Sequence, residues 1–388
     1  MEQVFIVRYA EIHLKGLNRP YFERALVSRI REALLPVEAE VVREQGRIFV
    51  FGIPEAESAG CLERLKKVFG IHSVSPALAT EKKWEPICAC AAQLMRDALP
   101  ADAPASFKVF ARRADKRFPM RSDEICREMG AFLLDTFPQL HVDVHHPEWK
   151  VGVEIRQNQA FVFVQDIPCA GGMPVGCNGH AMLLISGGID SPVAGYMIAK
   201  RGVSLSAVHF YSYPYTSEKA RDKVVDLTRI LSGYAGHMKL YLVPFTKIQL
   251  AIYEKCPQSE TTILMRRLMM QIAERFAVSC GAQALITGES IGQVASQTIE
   301  SLTVTNDAVT LPVFRPLIGF DKEEIIDKAK AIGSFDTSIL PYEDCCTVFV
   351  PQHPVTWPTL EEIRASERLV DFSPMIEDAI AETEIVEL

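Results

Sequence analysis

The sequence has 388 residues, of which 48% are hydrophobic and 23% charged, a balance typical of soluble globular proteins. Its length predicts two or three domains. Charges near the start and the lack of an apolar run of about 18 residues argue against a signal peptide, a transit sequence and a membrane span. The ten cysteines include no CxxC pair, which disfavours a zinc site or a disulfide framework and favours a cytoplasmic location.

The net charge of −8 is unevenly distributed along the chain. Eleven acidic residues and only two arginines lie between Pro341 and Leu388, so the preceding residues are close to neutral. We expect this acidic C-terminal segment to present a solvated helical face. Because the rest of the chain has no general positive excess, a nucleic-acid-binding surface must be a local patch.

The N-terminal region alternates elements in the order strand, helix, strand, strand, helix, strand, which is the ferredoxin-like pattern. Glu44, Gln45 and Gly46 are predicted to form the hairpin turn between its second and third strands. We place this domain at residues 1–59. The predicted segments are Val4–Arg8, Pro20–Leu35, Val37–Arg43, Arg47–Gly52, Ala56–Phe69 and Ser73–Ala79.

A second α+β unit, placed at residues 60–166, contains a basic stretch with one acid and two phenylalanines, Phe110 and Phe118. Its six basic residues are Lys108, Arg112, Arg113, Lys116, Arg117 and Arg121. Positive charge with aromatic surface suits phosphate contacts and base stacking, whereas the alternative is a solvated loop. The stretch lies upstream of a glycine- and serine-rich segment, residues 186–191, that is a candidate nucleotide-binding motif, and this position favours RNA binding. We expect residues Ser122–Ile125 to supply the N-cap of the helix that follows this stretch.

Residues 167–179 are rich in Gly and Pro and predict a linker. Cys169 and Cys177 within it are interpreted as ordinary thiols, because metal-binding pairs usually lie closer together. From residue 180 to 388 strands and helices alternate. This order predicts a parallel sheet that binds ligands at the carboxyl ends of its strands.

A phosphate-binding turn is predicted where an apolar strand, Met182–Ile185, meets a helix that runs to Lys200. The two glycines allow close approach of the backbone, the serines add hydroxyl donors, and the helix N-terminus favours anions. Asp190 suits a Mg²⁺ that accompanies a nucleotide. The alternative is a glycine-rich turn with no ligand. The residues of the turn are Ser186, Gly187, Gly188, Ile189, Asp190 and Ser191.

Two later segments extend this prediction. The loop from Gly288 to Thr298 carries two glycines, amides and hydroxyls, which suit the wall of a nucleotide pocket. Asp321 is predicted to cap a helix with Glu324 in a capping box, which places Lys322 in the first turn. A lysine there opposes the helix dipole, a cost that is tolerable if it neutralises phosphate. An exposed lysine without a function is the alternative.

The turn matches SGGxDS and resembles the PP-loop of the ATP pyrophosphatase superfamily. A ferredoxin-like unit, a unit like the THUMP RNA-binding domain and this motif, in that order, resemble the tRNA 4-thiouridine synthetase family over essentially the whole chain. The resemblance implies a multidomain α/β fold, ATP and Mg²⁺ as cofactors, tRNA as substrate and a cysteine desulfurase as sulfur donor. A homodimer stays open.

The resemblance also implies site residues. The residues expected to hold ATP are Ser186, Gly187, Gly188, Asp190 and Ser191 of the turn, together with Leu184, Ile185, His209, Phe210, Arg266, Gly288 and Gln297. The residues alone do not distinguish Arg266 from Arg267, and His209 could equally be a core histidine. Asp190 and Lys322 would handle the charge of Mg²⁺ and phosphate.

Adjacent cysteines, Cys345 and Cys346, cannot readily ligate one metal or pair without strain. By resemblance Cys346 is the catalytic thiol that carries a persulfide, with Cys345 as the alternative. The acids Glu343 and Asp344 would raise a thiol pKa unless the fold supplies positive charge. Only 42 residues follow Cys346, so we expect a form without the C-terminal rhodanese domain.

The sequence therefore predicts ATP-dependent sulfur transfer to a tRNA uridine, at position 8 by resemblance, with adenylation of the base before attack of the persulfide. Another PP-loop enzyme, such as a 2-thiouridylase, is the nearest alternative. The basic stretch and the N-terminal units disfavour a GMP or NAD synthetase. A non-catalytic tRNA-binding protein with a regulatory nucleotide site is the alternative from a different class.

Overall fold

The structure is a computed structural model that describes residues 1–100, 103–294, 296–342, 351 and 353–388. The chain divides into two compact units, residues 1–173 and 174–388. Among the described residues, no helix combines the length and the apolar character that a membrane crossing requires.

The first unit contains one nine-stranded sheet and four α-helices among its described residues. A 3-10 segment, Glu11–Asn18, precedes the first helix. The elements are β1 (Glu2–Arg8), α1 (Arg19–Leu34), β2 (Glu40–Glu44), β3 (Arg47–Phe51), α2 (Glu55–Lys67), β4 (Ser73–Thr80), α3 (Trp84–Ala98), β5 (Ala105–Arg113), α4 (Ser122–Thr136), β6 (Leu140–Val142), β7 (Trp149–Ile155), β8 (Ala160–Phe163) and β9 (Ile167–Pro168).

The strands of this sheet follow the order β2-β3-β1-β4-β8-β7-β5-β6, and β9 pairs with β4. Strand β4 joins the two predicted N-terminal domains, because it pairs antiparallel with β1 on one side and with β8 on the other. The hairpin turn between β2 and β3 places Gln45 at φ 41° and Gly46 at φ 80°. Glycine adopts this left-handed backbone without a steric penalty, so the sequence specifies the turn.

Two details of the first unit differ from the sequence-based predictions. Helix α4 begins at Ser122, but its N-cap is Arg121, and Arg121 N donates to Glu124 Oε2 (2.7 Å). The cap therefore lies one residue earlier than expected. The predicted boundary after residue 59 falls within α2, and the predicted linker begins with strand β9. The domain limits themselves stay predictions.

The second unit has a six-stranded sheet in the order β14-β13-β10-β11-β12-β15. All neighbours are parallel except β12 and β15, so the predicted parallel sheet is confirmed with one antiparallel edge strand. Its elements are β10 (His180–Leu184), α5 (Asp190–Ala199), β11 (Ser204–Tyr211), α6 (Glu218–Ala235), β12 (Lys239–Pro244), α7 (Thr246–Lys255), α8 (Thr261–Ser279), β13 (Leu285–Ile286), α9 (Ile299–Asn306), β14 (Val313–Phe314), α10 (Lys322–Ile332), α11 (Phe335–Ser338), α12 (Leu360–Glu367), α13 (Ser373–Ala381) and β15 (Glu384–Glu387).

The acidic C-terminal segment is more than the solvated face that we expected. Ile363 and Ile376 of α12 and α13 are buried in the same core as α8, and β15 extends the sheet. The acids of this segment face basic residues of earlier helices, as in Arg275–Glu377 and Arg267–Glu367. The charge pattern alone missed the apolar positions that anchor these helices.

Candidate nucleotide site and basic surface

The turn after β10 is organised by its own serine hydroxyls. Ser186 N donates to Ser191 Oγ (2.9 Å), and the two hydroxyl oxygens lie 3.2 Å apart. Gly188 N donates to Ser186 Oγ (3.3 Å). The hydroxyls therefore stabilise the conformation of the turn, and α5 begins at Asp190.

Gly288, which lies shortly after β13, allows the loop that follows this strand to pack directly against the turn. A Cβ on Gly288 would lie 2.8 Å from Ser191 N and 2.9 Å from the carbonyl carbon of Asp190. Both neighbours are backbone atoms, so no side-chain movement could make room. The parallel register of β10 and β13 explains why these loops, far apart in sequence, meet at one edge of the sheet.

Asp190 and Lys322 are in direct contact although 132 positions separate them. Lys322 Nζ donates to Asp190 Oδ1 (2.8 Å), and Gln293 Nε2 donates to Asp190 Oδ2 (3.0 Å). The predicted capping box places Lys322 there: Glu324 N donates to Asp321 Oδ1 (2.9 Å) and Asp321 N to Glu324 Oε2 (3.1 Å). Gln293 was not singled out from the sequence.

A cavity of about 490 Å³ opens at the carboxyl ends of the parallel strands. Gly187 and Gly188 lie in the adjoining turn. Every other residue predicted to contact ATP is part of its lining: Leu184, Ile185, Ser186, Asp190, Ser191, His209, Phe210, Arg266, Gly288 and Gln297. The size suits a nucleotide, since ligand pockets measure about 300–1,000 Å³.

His209 both lines the cavity and packs as a buried side chain, so the two interpretations left open by the sequence are compatible. Its Nδ1 donates to the carbonyl oxygen of Ile185 (3.0 Å), since a carbonyl can only accept. Ile185 N donates to Val208 O (2.9 Å). Both backbone groups of Ile185 are therefore engaged within the protein.

The structure separates the two arginines of α8. Arg266 lines the cavity, and its Nη1 lies 2.9 Å from Glu289 Oε1. Arg267 is directed elsewhere and pairs with Glu367 (2.6 Å) and Asp307 (3.2 Å). Successive helical residues point about 100° apart, and only the packing of α8 shows which one faces the cavity.

Glu289 is a central residue that the sequence analysis did not identify. It is buried, and it pairs with Arg315 Nε (2.7 Å) as well as with Arg266. Burial opposes its ionisation, but the two guanidinium groups outweigh burial and hold the pKa of Glu289 below its ordinary value. A carboxylate directly after Gly288 was the available signal, but its arginine partners are distant in sequence.

One wall of the cavity is apolar. Met269 and Met270 of α8 both contribute to it. Beside the cavity, the buried Gln297 Oε1 has no hydrogen-bond partner among the described residues. An apolar wall with an unmet acceptor suits an aromatic ring that carries an amino group. No group of three or more His, Cys, Asp or Glu side chains that could hold a metal ion occurs in the described part of the chain.

The basic stretch of the first unit is only partly available for a ligand. Arg113 Nη1 donates to Phe118 O (3.1 Å), Arg117 pairs with Asp115 (3.1 Å), and Lys108 Nζ donates to a backbone carbonyl. The three remaining cations are exposed and make no ion pair with the described residues: Arg112, Lys116 and Arg121. The stretch therefore contains both loop-stabilising and solvent-facing charges.

The two phenylalanines of this stretch have different environments. Phe110 is 44% exposed, and the Lys108 ammonium lies 5.1 Å from its ring centroid. Phe118 is 7% exposed and belongs to the core formed with α3 and α4. The prediction of two stacking rings is therefore wrong for Phe118, which the apolar face of the sheet buries. Phe110 keeps the geometry that stacking requires.

The structure describes Cys169 but not the adjacent pair of cysteines near the C-terminus. Burial raises the pKa of Cys169 to about 12, so this thiol stays protonated near neutral pH. Cys345 and Cys346 lie outside the described residues, as do Glu343 and Asp344. Their predicted roles stay predictions.

Family models match the chain in three consecutive pieces. The ThiI ferredoxin-like domain matches residues 4–75, the THUMP domain residues 81–165, and the thiamine biosynthesis protein ThiI residues 176–372. The probable tRNA sulfurtransferase of Acetivibrio thermocellus is 52% identical over 388 residues, which cover 100% of this chain and 99% of the relative. The chain belongs to the ThiI family of tRNA sulfurtransferases. The resemblance drawn from the sequence is thereby confirmed.

Further similar proteins agree with this assignment. The probable tRNA sulfurtransferase of Lachnoclostridium phytofermentans is 53% identical over 369 residues, 95% of this chain and 94% of the relative. A crystal structure of a 4-thiouridine synthetase with RNA and bound ATP superposes with a TM-score of 0.92 at 40% identity, covering 100% of both chains. A Pyrococcus horikoshii protein matches with a TM-score of 0.66 at 27% identity, over 85% of this chain and 99% of that one. The predicted multidomain fold is confirmed.

Proposed function

We infer that the chain is an ATP-dependent tRNA sulfurtransferase that converts a uridine of tRNA to 4-thiouridine. The observation that carries this inference is the full-length similarity to a 4-thiouridine synthetase solved with RNA and ATP. The local geometry agrees, since the SGGIDS turn, the cavity and the basic stretch occur in one chain. The uridine at position 8 is the proposed target.

ATP is proposed to bind in the cavity with its phosphates at the turn of Gly187 and Gly188. The backbone N–H groups there and the N-terminus of α5 provide partial positive charge where the phosphates would lie. The apolar wall that includes Met269 and Met270 suits the adenine ring. Arg266, held by Glu289, adds a fixed cation beside the ligand.

Asp190 fits the Mg²⁺ that accompanies ATP. Its carboxylate lies at the cavity, and one of its oxygens already binds an ammonium group, that of Lys322. Carboxylate oxygens together with substrate phosphates are the usual ligands of Mg²⁺. When bound, Mg²⁺ would neutralise charge on the pyrophosphate leaving group. In the presence of phosphate, Lys322 is expected to exchange Asp190 for a phosphate oxygen.

The reaction proceeds in two stages. The O4 atom of uridine attacks the α-phosphorus of ATP, and pyrophosphate leaves. The O4 oxygen, by itself a poor leaving group, can then depart as part of AMP. A persulfide on Cys346, supplied by a cysteine desulfurase, then attacks C4 and AMP departs. Attack of Cys345 or another thiol on the inner sulfur of the persulfide cleaves the S–S bond and leaves the outer sulfur on C4. The disulfide that forms between the two cysteine residues is then reduced to thiols by a dithiol reductant.

The deciding experiment incubates the protein with unmodified tRNA, Mg-ATP, cysteine and a cysteine desulfurase. Digested nucleosides are then analysed by mass spectrometry. ATP-dependent appearance of 4-thiouridine is expected. A 2-thiouridine product would instead indicate a 2-thiouridylase, and absence of both product and tRNA-stimulated pyrophosphate release would favour a regulatory tRNA-binding protein.

The role of Cys346 is tested by a matched pair of variants. Cys346→Ser is expected to release pyrophosphate in the presence of tRNA but to form no thiolated product, because adenylation precedes sulfur transfer. Cys345→Ser should keep adenylation and at least one turnover of thiolation. If instead Cys345→Ser abolishes single-turnover thiolation and Cys346→Ser does not, the persulfide belongs on Cys345.

A further inference from the structure

Trp357 is an unusually exposed tryptophan. The chain has three tryptophans, and Trp84 and Trp149 are half-buried against the core of the first unit. Trp357 is 74% exposed. A large aromatic side chain in water forgoes the stabilisation of burial, so its position on the surface needs an explanation.

The backbone on the N-terminal side of Trp357 is fixed at the rim of the nucleotide cavity. Val355 N donates to Ser259 O (3.0 Å), and Thr298 Oγ1 donates to Thr356 O (2.9 Å). Pro354 is part of the cavity lining. The segment is therefore anchored at the two residues that precede Trp357, and the tryptophan ring is presented to solvent from a defined position.

The same rim carries further exposed apolar side chains. Ile299 follows Thr298 directly and is 67% exposed, while Val294 is 52% exposed and lines the cavity. Thr298 is also the N-cap of α9, since its Oγ1 accepts from Ser301 N (3.1 Å). The hydrogen bond between Thr298 and Thr356 therefore places the backbone of Trp357 close to that of Ile299, beside a cavity that Val294 and Pro354 line.

An RNA-binding role accounts for these exposed apolar side chains better than a loop without a function does. A base that reacts with ATP must leave its stack, and proteins hold unstacked RNA bases on aromatic side chains. Tryptophan offers the largest ring for this contact and loses little conformational freedom, since its backbone is already anchored.

We propose that Trp357 is a stacking residue for an unstacked base of the RNA substrate at the mouth of the nucleotide cavity. The proposal rests on the tRNA sulfurtransferase function inferred above and adds a substrate-binding residue to it. It predicts that Trp357 affects how tRNA engages the reaction and leaves ATP binding unchanged.

The test compares Trp357→Ala and Trp357→Phe with the wild-type protein at varied concentrations of unmodified tRNA. Trp357→Ala should lower kcat/KM for tRNA about 5- to 150-fold, the range that corresponds to the loss of one base–aromatic stack. Trp357→Phe should recover most of this loss, because it restores an aromatic face. Val278→Ala, which alters another exposed apolar residue (66% exposed), is the matched control and should equal the wild type.

Two further readouts separate stacking from other roles. ATP affinity, measured by titration calorimetry without tRNA, should be the same in all variants. Addition of tRNA should quench tryptophan fluorescence in the wild type and much less in Trp357→Phe, which retains Trp84 and Trp149.

Three results would overturn the assignment. One is an unchanged kcat/KM for tRNA in Trp357→Ala while the wild type forms 4-thiouridine. Another is a defect confined to sulfur loading by the desulfurase, which would assign Trp357 to a protein partner. The third is tRNA-induced quenching that is equal in wild type and Trp357→Phe. A wild-type protein that forms no 4-thiouridine would contradict the proposed function, and the quenching comparison would still decide the stacking role.

Discussion

At the scale of single residues, Glu289 organises the charges beside the nucleotide cavity. It is buried between Arg266 and Arg315, and Thr287 Oγ1 donates to it (2.8 Å). Removing one member of a buried charge group leaves the others uncompensated, which costs more than the group contributes when intact. Glu289 therefore affects both the stability of the fold and the position of Arg266.

Glu289→Gln is expected to lower the free energy of unfolding at pH 7 by about 3–5 kcal/mol. A carboxyl whose pKa is lower in the folded chain contributes stability above its unfolded pKa, and this contribution is lost as the pH falls through the folded pKa. The difference in the free energy of unfolding between the variant and the wild type should therefore become smaller below about pH 4.3. Urea unfolding at pH 7, 5 and 4 measures it, with the exposed Glu254→Gln as control.

Lys322 provides a second prediction at this scale. Because its ammonium contacts Asp190 at the cavity, Lys322→Ala should reduce tRNA-dependent pyrophosphate release about 100- to 1,000-fold. Lys330→Ala on the same helix, which alters an exposed lysine, should stay within about twofold of the wild type, since an exposed charge away from the site has little influence. Equal rates for the two variants would remove Lys322 from the reaction.

At the scale of elements, the site depends on two strand-to-helix connections that touch. The loop after β13 reaches the first turn of α5 only because Gly288 has no side chain. Strand register sets this contact, since β10 and β13 are parallel neighbours in the sheet. From the local sequence alone, Gly288 is one glycine among others. The pairing of β10 with β13 explains why a residue without a side chain is required at this position.

Gly288→Ala is expected to weaken ATP binding at least about tenfold and to destabilise the fold by about 1–3 kcal/mol, because backbone must move to accept the new methyl group. Gly319→Ala is the matched control, since a Cβ there meets nothing within 4 Å. Titration calorimetry with ATP and thermal unfolding give the two measurements. Unchanged ATP affinity in Gly288→Ala would argue against phosphate binding at this turn.

At the scale of the whole molecule, the two compact units carry different parts of the proposed function. The exposed cations of the basic stretch belong to residues 1–173, and the nucleotide cavity belongs to residues 174–388. Variants in one unit should therefore impair one binding activity and spare the other.

Asp190→Ala is expected to abolish pyrophosphate release while tRNA binding persists. The triple variant Arg112→Ala, Lys116→Ala, Arg121→Ala should bind ATP normally but bind tRNA more weakly. The slope of log affinity against log salt should become shallower by about two to three. Filter binding at several salt concentrations measures this, with Arg24→Ala, Arg96→Ala, Arg127→Ala as the matched control. Joint loss of both activities in either variant would contradict the division of roles.

Several features of the fold and of the site could be predicted from the sequence alone, because they depend on residues that are close together in the chain. The SGGIDS turn, the hairpin at Gly46 and the capping box that positions Lys322 each depend on residues a few positions apart. Backbone conformation and side-chain hydrogen bonds within a turn follow from such short spacings. The fold class was predicted from such patterns together with the family resemblance, and the resemblance also named about half of the residues that line the cavity.

Only the tertiary structure decided which distant groups meet. The choice of Arg266 over Arg267 depends on how α8 packs, and the pairing of Glu289 with Arg315 depends on neighbouring strands. The burial of Phe118 and the core positions of the C-terminal helices likewise depend on packing partners remote in sequence. Charge and hydropathy patterns describe each segment separately, whereas long-range contacts arise only when the sheet places its strand ends side by side.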